Sequence, residues 1–265
     1  MTTAKDIIVK PIKSADANAF VKAHHYSGKV AQNSQLHLGV FLNDRLHGVM
    51  QFGPSLDKRK IQGLVSGTQW HEFLELNRMA FDDVLPRNSE SRALSIAFRM
   101  IRKNAPQVKW IISFADGTQC GDGTIYRAAG FVLTGINENK NLARLADGSV
   151  IHKMTLESNP LASDYGAVNG GKNDFSHYLD VKGGTRLLGF QLRYIFFLDP
   201  AYKDRLTVSI LPFSEIERRG ASMYKGQKIT RERGETDNAP QSNAETEGAS
   251  PIRSLLSNEA THGTP

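Results

Sequence analysis

The stretch VKWIISFADGTQCGDGTIYRAAGF, residues 108–131, runs from an apolar strand through a glycine-rich turn and a short helix into the next strand. Val108 to Ala115 is largely apolar, as expected of a central strand buried on both faces. Asp116 opens a turn that carries Gly117, Gly121 and Gly123. Such residues end a strand because they hydrogen-bond locally or tolerate positive φ. Thr124 to Ala129 reads as a short helix, Gly130 fits a left-handed helix terminus, and Phe131 starts a strand at once.

On the N-terminal side, Asp6–Lys10 is a short β-branched run. Ser14 follows as an N-cap for a helix through Ala17, Phe20, Val21 and His24. Leu36–Leu42 and Arg45–Phe52 read as a hairpin turning at Asn43 and Asp44. Phe73–Phe81 alternates apolar Leu74 and Leu76 with polar Glu75 and Asn77, the period of a half-buried strand. After the loop Asp82–Arg87, Asn88 or Ser89 caps a helix to Lys103 with Ala93, Leu94, Ala97, Phe98 and Ile101 on one stripe. Strands and helices alternate from Asp6 to Leu156, so the expected class is α/β with a mixed central sheet flanked by helices.

On the C-terminal side, residues 162–184 are rich in Gly, Asn, Asp and Ser and read as a long loop. Leu187–Leu198 and Leu206–Leu211 read as extra C-terminal strands that complete or cap the sheet. From Gly226 the chain has few large apolar residues and is expected to be a disordered tail. The organisation expected is a catalytic domain over 1–225 and a tail over 226–265.

The 265 residues carry a net charge of +6, with 40% hydrophobic and 23% charged residues. The tail from Gly226 holds four basic residues (Lys228, Arg231, Arg233, Arg253) and six acidic (Glu232, Glu235, Asp237, Glu245, Glu247, Glu259). Taking these from the 33 basic and 27 acidic residues leaves 29 and 21, a net +8 on residues 1–225. That excess favours a polyanionic partner or an anionic cofactor. Cys120 stands alone, which excludes an internal disulfide and a cysteine-based zinc site and leaves Cys120 as a small buried residue. No apolar run reaches signal-peptide or bilayer-spanning length, so a cytoplasmic protein without a membrane partner is expected.

The order of elements resembles the GNAT acetyltransferase superfamily, and Ile125–Phe131 (IYRAAGF) is similar to the Tyr-x-x-x-Gly-Phe segment of many such enzymes. In that resemblance Tyr126 lies near the acyl-CoA sulfur and protonates the departing thiolate. The bland reading is that Tyr126 packs the helix on the sheet. The superfamily receives the CoA pyrophosphate at the helix start that here reads Arg87-Asn88-Ser89-Glu90-Ser91, where free N–H groups and the helix dipole favour anions. The usual Gly-rich loop is missing. Ser89 and Ser91 hydroxyls with the charge of Arg87 are its substitutes, against the alternative of a plain helix cap.

A second resemblance is narrower. His24-His25-Tyr26-Ser27-Gly28-Lys29, Glu75-Leu76-Asn77-Arg78-Met79, Asn88-Ser89-Glu90-Ser91, Ser113-Phe114-Ala115-Asp116, Leu192-Arg193-Tyr194-Ile195 and Leu211-Pro212-Phe213 resemble, in order, the bacteriophage Mom family. The resemblance implies conversion of adenine in double-stranded DNA to N6-acetamido (methylcarbamoyl) adenine, protecting phage DNA from host restriction. It implies acetyl-CoA, and iron. A conventional GNAT N-acetyltransferase acting on a protein or small amine is the competing reading, and an inert DNA-binding protein the third.

By motif, the resemblance makes His25, Tyr26, Asp116 and Tyr126 the catalytic candidates. Arg78, Arg87, Asn88, Ser89 and Ser91 are the cofactor-binding ones. Asp116, at the end of the central strand, is a base or metal ligand, or else only a turn-forming residue. His25 is a metal ligand or proton shuttle, or complements a helix dipole. His25, Asp116 and Tyr126 together make a hard N/O set suited to iron. Reaching an amine inside a duplex requires turning the base out, for which Tyr26 and Trp70 are stacking candidates and Lys29, Arg59, Lys60 and Arg78 phosphate or cofactor contacts. For Trp70 a place in the core is the alternative. A homodimer is an allowed assembly.

Overall fold

Asn43 and Asp44 both adopt positive φ (49° and 61°), so the two-residue turn of a tight hairpin is built from residues that tolerate it. The hairpin joins β2 (Leu36–Leu42) and β3 (Arg45–Gly53), with Leu42 opposite Arg45. The computed structural model describes residues 2–119, 121–157, 175–224, 227 and 228. Cys120 and nearly all of the expected tail lie outside the described residues. The first compact unit spans Met1–Arg231.

Around this hairpin seven strands form one sheet. They are β1 (Ile8–Pro11), β2, β3, β4 (Phe73–Phe81), β5 (Trp110–Asp116), β6 (Val132–Glu138) and, later in the chain, β10 (Phe190–Phe197). Their order is β1-β2-β3-β4-β5-β10-β6. Every neighbouring pair is antiparallel except β4 and β5. A parallel pair needs a crossover connection, and the helix α3 (Ser89–Asn104) supplies it. The expected mixed α/β sheet is therefore present. The strand expected over Leu187–Leu198 is not an added edge: β10 is inserted between β5 and β6 and pairs with both.

The strand β5 is buried on both faces, as its apolar run predicts. Ile111 and Ala115 join the α3 side, where Ala93, Leu94, Ala97, Phe98 and Ile101 form the buried stripe. Trp110 and Ile112 face the other side, with Phe73, Ile195 and the β3–β4 connection through Ile61, Leu64 and Val65. That connection contains a short helix α2 (Lys58–Gln62). Next to it α1 (Ser14–His24) lays Ala17, Phe20 and Val21 on Val49 and Ala80. Lys13, not Ser14, holds the N-cap position of α1, and no side chain caps it.

The turn after β5 leads into α4 (Thr124–Ala128) and the next strand through Gly130 at φ 86°, as the sequence suggests. Beyond β6, β7 (Leu142–Arg144), β8 (Val150–His152) and β9 (Thr185–Arg186) make a second small sheet ordered β8-β7-β9. A short helix α5 (Lys153–Glu157) follows β8.

The reading of 162–184 as one loop is corrected over its second half, because α6 (Phe175–Lys182) is a helix whose Phe175, Tyr178 and Leu179 pack on Ala143. A Gly/Asn/Asp-rich composition hid an apolar stripe only three residues deep. Residues 158–174 lie outside the described residues. The strand expected at Leu206–Leu211 is also corrected. Only isolated bridges Val65–Leu206 and Leu133–Leu211 form there, between a 3₁₀ turn (Pro200–Arg205) and α7 (Ser214–Arg218). A short two-stranded pairing joins β11 (Met223–Tyr224) and β12 (Gln227–Lys228). Among the described residues no helix is long and apolar enough to cross a membrane.

Phe98 is 1% exposed and stacks on Phe196 at 4.3 Å, with Phe131 at 5.6 Å. A Phe98→Ala substitution is expected to cost about 3–5 kcal/mol of unfolding free energy in urea titrations, since the cavity lies under the middle of α3.

Candidate active site

The strands β4 and β5 pair over only three positions, Phe73–Trp110, Leu74–Ile111 and Glu75–Ile112. Past Glu75, β4 is held by β3 alone, and past Ile112, β5 is held by β10. The sheet therefore divides at Glu75, between its two halves.

Just past this division β4 carries a bulge. Phe52 pairs with Leu76 and Gln51 with Arg78, leaving Asn77 as the extra residue. The bulge changes which face each side chain takes. Leu74 and Leu76 face the α3-side core, and so do Met79 and Phe81. Arg78 is thereby placed on the α1 side, the side of Glu75 and Ala80. Without the extra residue Arg78 would alternate into the apolar core.

Arg78 uses that position to fasten a second segment. Its Nε donates to the Lys29 carbonyl (2.9 Å) and its Nη1 to the Asn77 carbonyl (2.6 Å). Lys29 ends a turn that leaves α1 at His25, the C-cap, whose N–H reaches the Val21 carbonyl. The Gly28 N–H closes the turn on the His25 carbonyl at 2.8 Å, with Gly28 at φ 59°. A side chain at 28 would be strained there.

The His25 ring makes its hydrogen bonds within this turn. Nδ1 lies 2.8 Å from the Ser27 hydroxyl and accepts the Ser27 backbone N–H at 3.2 Å. A backbone N–H can only donate, so Nδ1 is unprotonated and the neutral ring carries its proton on Nε2. Burial, and then the nearby Arg78 charge, pull its pKa down to about 4, so the ring is neutral at pH 7. As a neutral ring it does not add charge to the α1 C-terminus. Tyr26 stands beside it at 4.2 Å between ring centres and is 48% exposed.

A carboxyl that the sequence reading quoted within its motif but gave no role belongs to the same cluster. Glu75 accepts from Ser55 at 2.6 Å. Burial pushes its pKa above the ordinary glutamate range, opposed by hydrogen bonds from Ser55 and Asn77 and by the Arg78 charge. Asn77 in turn accepts from Ser34 at 3.1 Å. The sequence held a signal: Asn77-Arg78 places two polar residues in a row where strict alternation asks for one.

Asp116 ends β5 and sits in a different set of bonds. It accepts from the Thr118 backbone N–H (3.0 Å), Asn139 (3.3 Å) and Gln119 (3.4 Å). The turn-forming reading of Asp116 is therefore realised, and Asn139 is an added partner. Tyr126 is half-buried between Phe131 (5.2 Å) and Tyr194 (5.3 Å), so it packs helix on sheet whatever else it does. His25 shares no hydrogen bond or ring contact with Asp116 or Tyr126. Among the described residues no three His, Cys, Asp or Glu side chains gather as a metal ion requires.

At the start of α3, Asn88 takes the N-cap position at φ 69° without a side-chain cap bond. The Ser91 hydroxyl is spent on the Asn88 carbonyl (3.2 Å). Ser89 differs: it is fully buried and its hydroxyl has no partner. Ser113, on β5, is likewise buried with an unpartnered hydroxyl. Each such group costs about 1–3 kcal/mol if left unpaired. Arg87 and Asn88 are exposed in the loop before the helix.

The Mom protein family matches residues 6–215. The chain is 34% identical over 208 residues to the methylcarbamoylase mom of Escherichia phage Mu, covering 78% of this chain and 82% of that protein. Solved structures similar to it include the ribosomal-protein-S18-alanine N-acetyltransferase from Escherichia coli. There the TM-score is 0.40 and the identity 10%, over 73% of this chain and 94% of that one. The spermidine/spermine N-acetyltransferase SpeG from Vibrio cholerae gives 0.41 and 9%, over 77% and 99%. Both the motif segments that meet at the β4 bulge fall inside the matched residues, and the chain belongs to the Mom protein family.

Proposed function

We propose that this chain converts adenine in double-stranded DNA to N6-acetamido (methylcarbamoyl) adenine in the host cytoplasm, which hides restriction sites from host nucleases. The observation that carries the reading is the family match over residues 6–215, which takes in both the His25–Lys29 turn and the Glu75–Arg78 bulge. The product joins N6 to a methylene, whereas plain acetyl transfer would join it to a carbonyl carbon. That difference separates the reading from conventional N-acetylation.

Acetyl-CoA, when bound, supplies an activated two-carbon unit. The start of α3 fits its phosphates: Ser89 offers a buried hydroxyl without a partner, at a helix end that no side chain caps, with Arg87 in the adjoining loop. Ser91 is less suited because its proton is already donated. Arg78 acts by position, holding the His25 turn against β4.

The remaining roles follow from where each group sits. His25, with Nδ1 engaged, presents Nε2–H as a donor. Tyr26 is exposed and suited to stacking on an extruded base. Asp116 is the proton acceptor at the end of β5 and Tyr126 the proton donor to a departing thiolate. Glu75, at the division of the sheet, is a second carboxyl in reach of proton transfer. The family resemblance also implies iron. The described residues do not fit it, since His25 would have to ligate through a nitrogen that carries its proton, and no step is assigned to the metal.

Expression in bacteria followed by digestion of plasmid DNA to nucleosides should reveal, by mass spectrometry, a deoxyadenosine heavier by one acetamido group. Unmodified nucleosides from cells holding soluble protein would refute the reading. Asp116→Asn and Tyr126→Phe should each reduce that product by at least about 100-fold, the scale of one positioned acid or base, with unchanged circular dichroism. Full activity in either removes that residue from the mechanism.

The depressed pKa of His25 also sets a stability window. The unfolded chain takes up a proton on His25 near pH 6.5 that the folded chain refuses until about pH 4. Stability contributed by the neutral ring is thus complete above 6.5 and lost as pH falls from 6.5 toward 4. Urea midpoints measured over that range should decline more steeply in the wild type than in His25→Gln. Equal slopes would contradict the burial of a neutral ring.

A further inference from the structure

The connection between β3 and β4 starts at Ser55, which donates to Glu75 inside the site, and then leaves the core. The next residue, Leu56, is 77% exposed, and Trp70, further along, is 52% exposed. The alternative of a core position for Trp70 does not hold; Trp110 is the buried tryptophan. Between the two come Lys58, Arg59 and Lys60 on α2, with Arg59 and Lys60 exposed. Lys58 Nζ lies 4.1 Å over the Trp70 ring.

None of these three cations forms an ion pair among the described residues. Two acidic residues lie in or beside this stretch. Asp57 precedes the cations and leaves two positive charges in excess on Leu56–Trp70. Glu72 is taken by the Gln69 N–H and the Tyr202 hydroxyl. The connection is nevertheless firmly mounted. Ile61, Leu64 and Val65 are buried beneath it. Thr68 accepts from the buried Trp110 indole, and Thr207 and Arg205 tie Gly63 and Ser66 down. A rigid base carrying an exposed indole, an exposed leucine and unpaired cations has the chemistry of a nucleic-acid platform. The cations meet phosphates, and the indole meets a base that has lost its stacking neighbour.

We infer that the Leu56–Trp70 connection is the surface that holds the DNA duplex beside the active site, with Arg59 and Lys60 on phosphates and Trp70 stacked on a base exposed by extrusion of its neighbour. This rests on the DNA-modification reading. It adds the place of contact and a division of labour within it.

The test is the affinity of the full chain for an end-labelled duplex, measured by fluorescence anisotropy across a series of salt concentrations. Arg59→Gln/Lys60→Gln should lower the slope of log affinity against log salt by about 1.8, two phosphate contacts at about 0.9 each. Trp70→Ala should weaken binding about tenfold or more with the slope unchanged, as loss of one stacked base predicts. Arg59→Lys/Lys60→Arg keeps both charges and should restore the wild-type slope, which separates lost contacts from lost folding. Wild-type slope and affinity in both test variants, while the wild-type protein still modifies plasmid adenine, would overturn the surface alone and leave it to another partner, such as an acidic protein. A wild-type protein that neither binds duplex nor modifies adenine would overturn the DNA reading itself.

Discussion

One inserted residue governs this site. Asn77 is the bulge in β4, and it is the reason a guanidinium can sit in the middle of a strand whose neighbours, Leu76 and Met79, both enter the apolar core. In a regular strand Arg78 would follow Leu76 by two and point at α3. Desolvating an unpaired guanidinium there would cost several kcal/mol, more than most single interactions contribute. The bulge turns it to the α1 side, where its donors meet the Lys29 and Asn77 carbonyls. The turn from His25 to Lys29 therefore depends on a backbone irregularity fifty residues away in sequence.

A second constraint comes from the one parallel pair. Parallel neighbours require a crossover, and α3 fills the space of that crossover with its apolar stripe. The two strands themselves pair at three positions only. The long β3–β4 connection is free to pack on the opposite face, closing a second core around Trp110. That packing is what presents Trp70 and α2 outward, so the division of the sheet shapes both the site and its surroundings.

Much of this was legible in the sequence where a single period governed the chain. The Phe73–Phe81 strand, the hairpin at Asn43-Asp44 and the stripe of α3 are local patterns, and they formed as read. Where two features overlapped, the reading was incomplete. Alternation in β4 announced a strand and passed over the doubled polar pair that marks the bulge, and Glu75, quoted within its motif, received no role. Low-complexity composition concealed α6, whose stripe of Phe175, Tyr178 and Leu179 is buried by the small sheet rather than by its own propensity. The insertion of β10 between β5 and β6 is a long-range pairing that no local pattern encodes. The motif segments at His25 and Arg78 were visible one by one. Their meeting was not, because it depends on the bulge.

The same reasoning bears on what His25 can do. A ring that binds a metal through Nε2 must place its proton on Nδ1 and offer it to an acceptor. Here Nδ1 faces the Ser27 N–H, a group with nothing to accept with, and the Ser27 hydroxyl is itself approached by the Lys29 N–H at 3.3 Å. The donors run in one direction, from Lys29 to Ser27 to His25, and fix Nε2 as the protonated nitrogen. Burial and Arg78 oppose a second proton. With Nδ1 taken up by Ser27 and Nε2–H left over, the arrangement supports the role proposed for this ring, a neutral hydrogen-bond donor held in place by the turn that Arg78 fastens to β4.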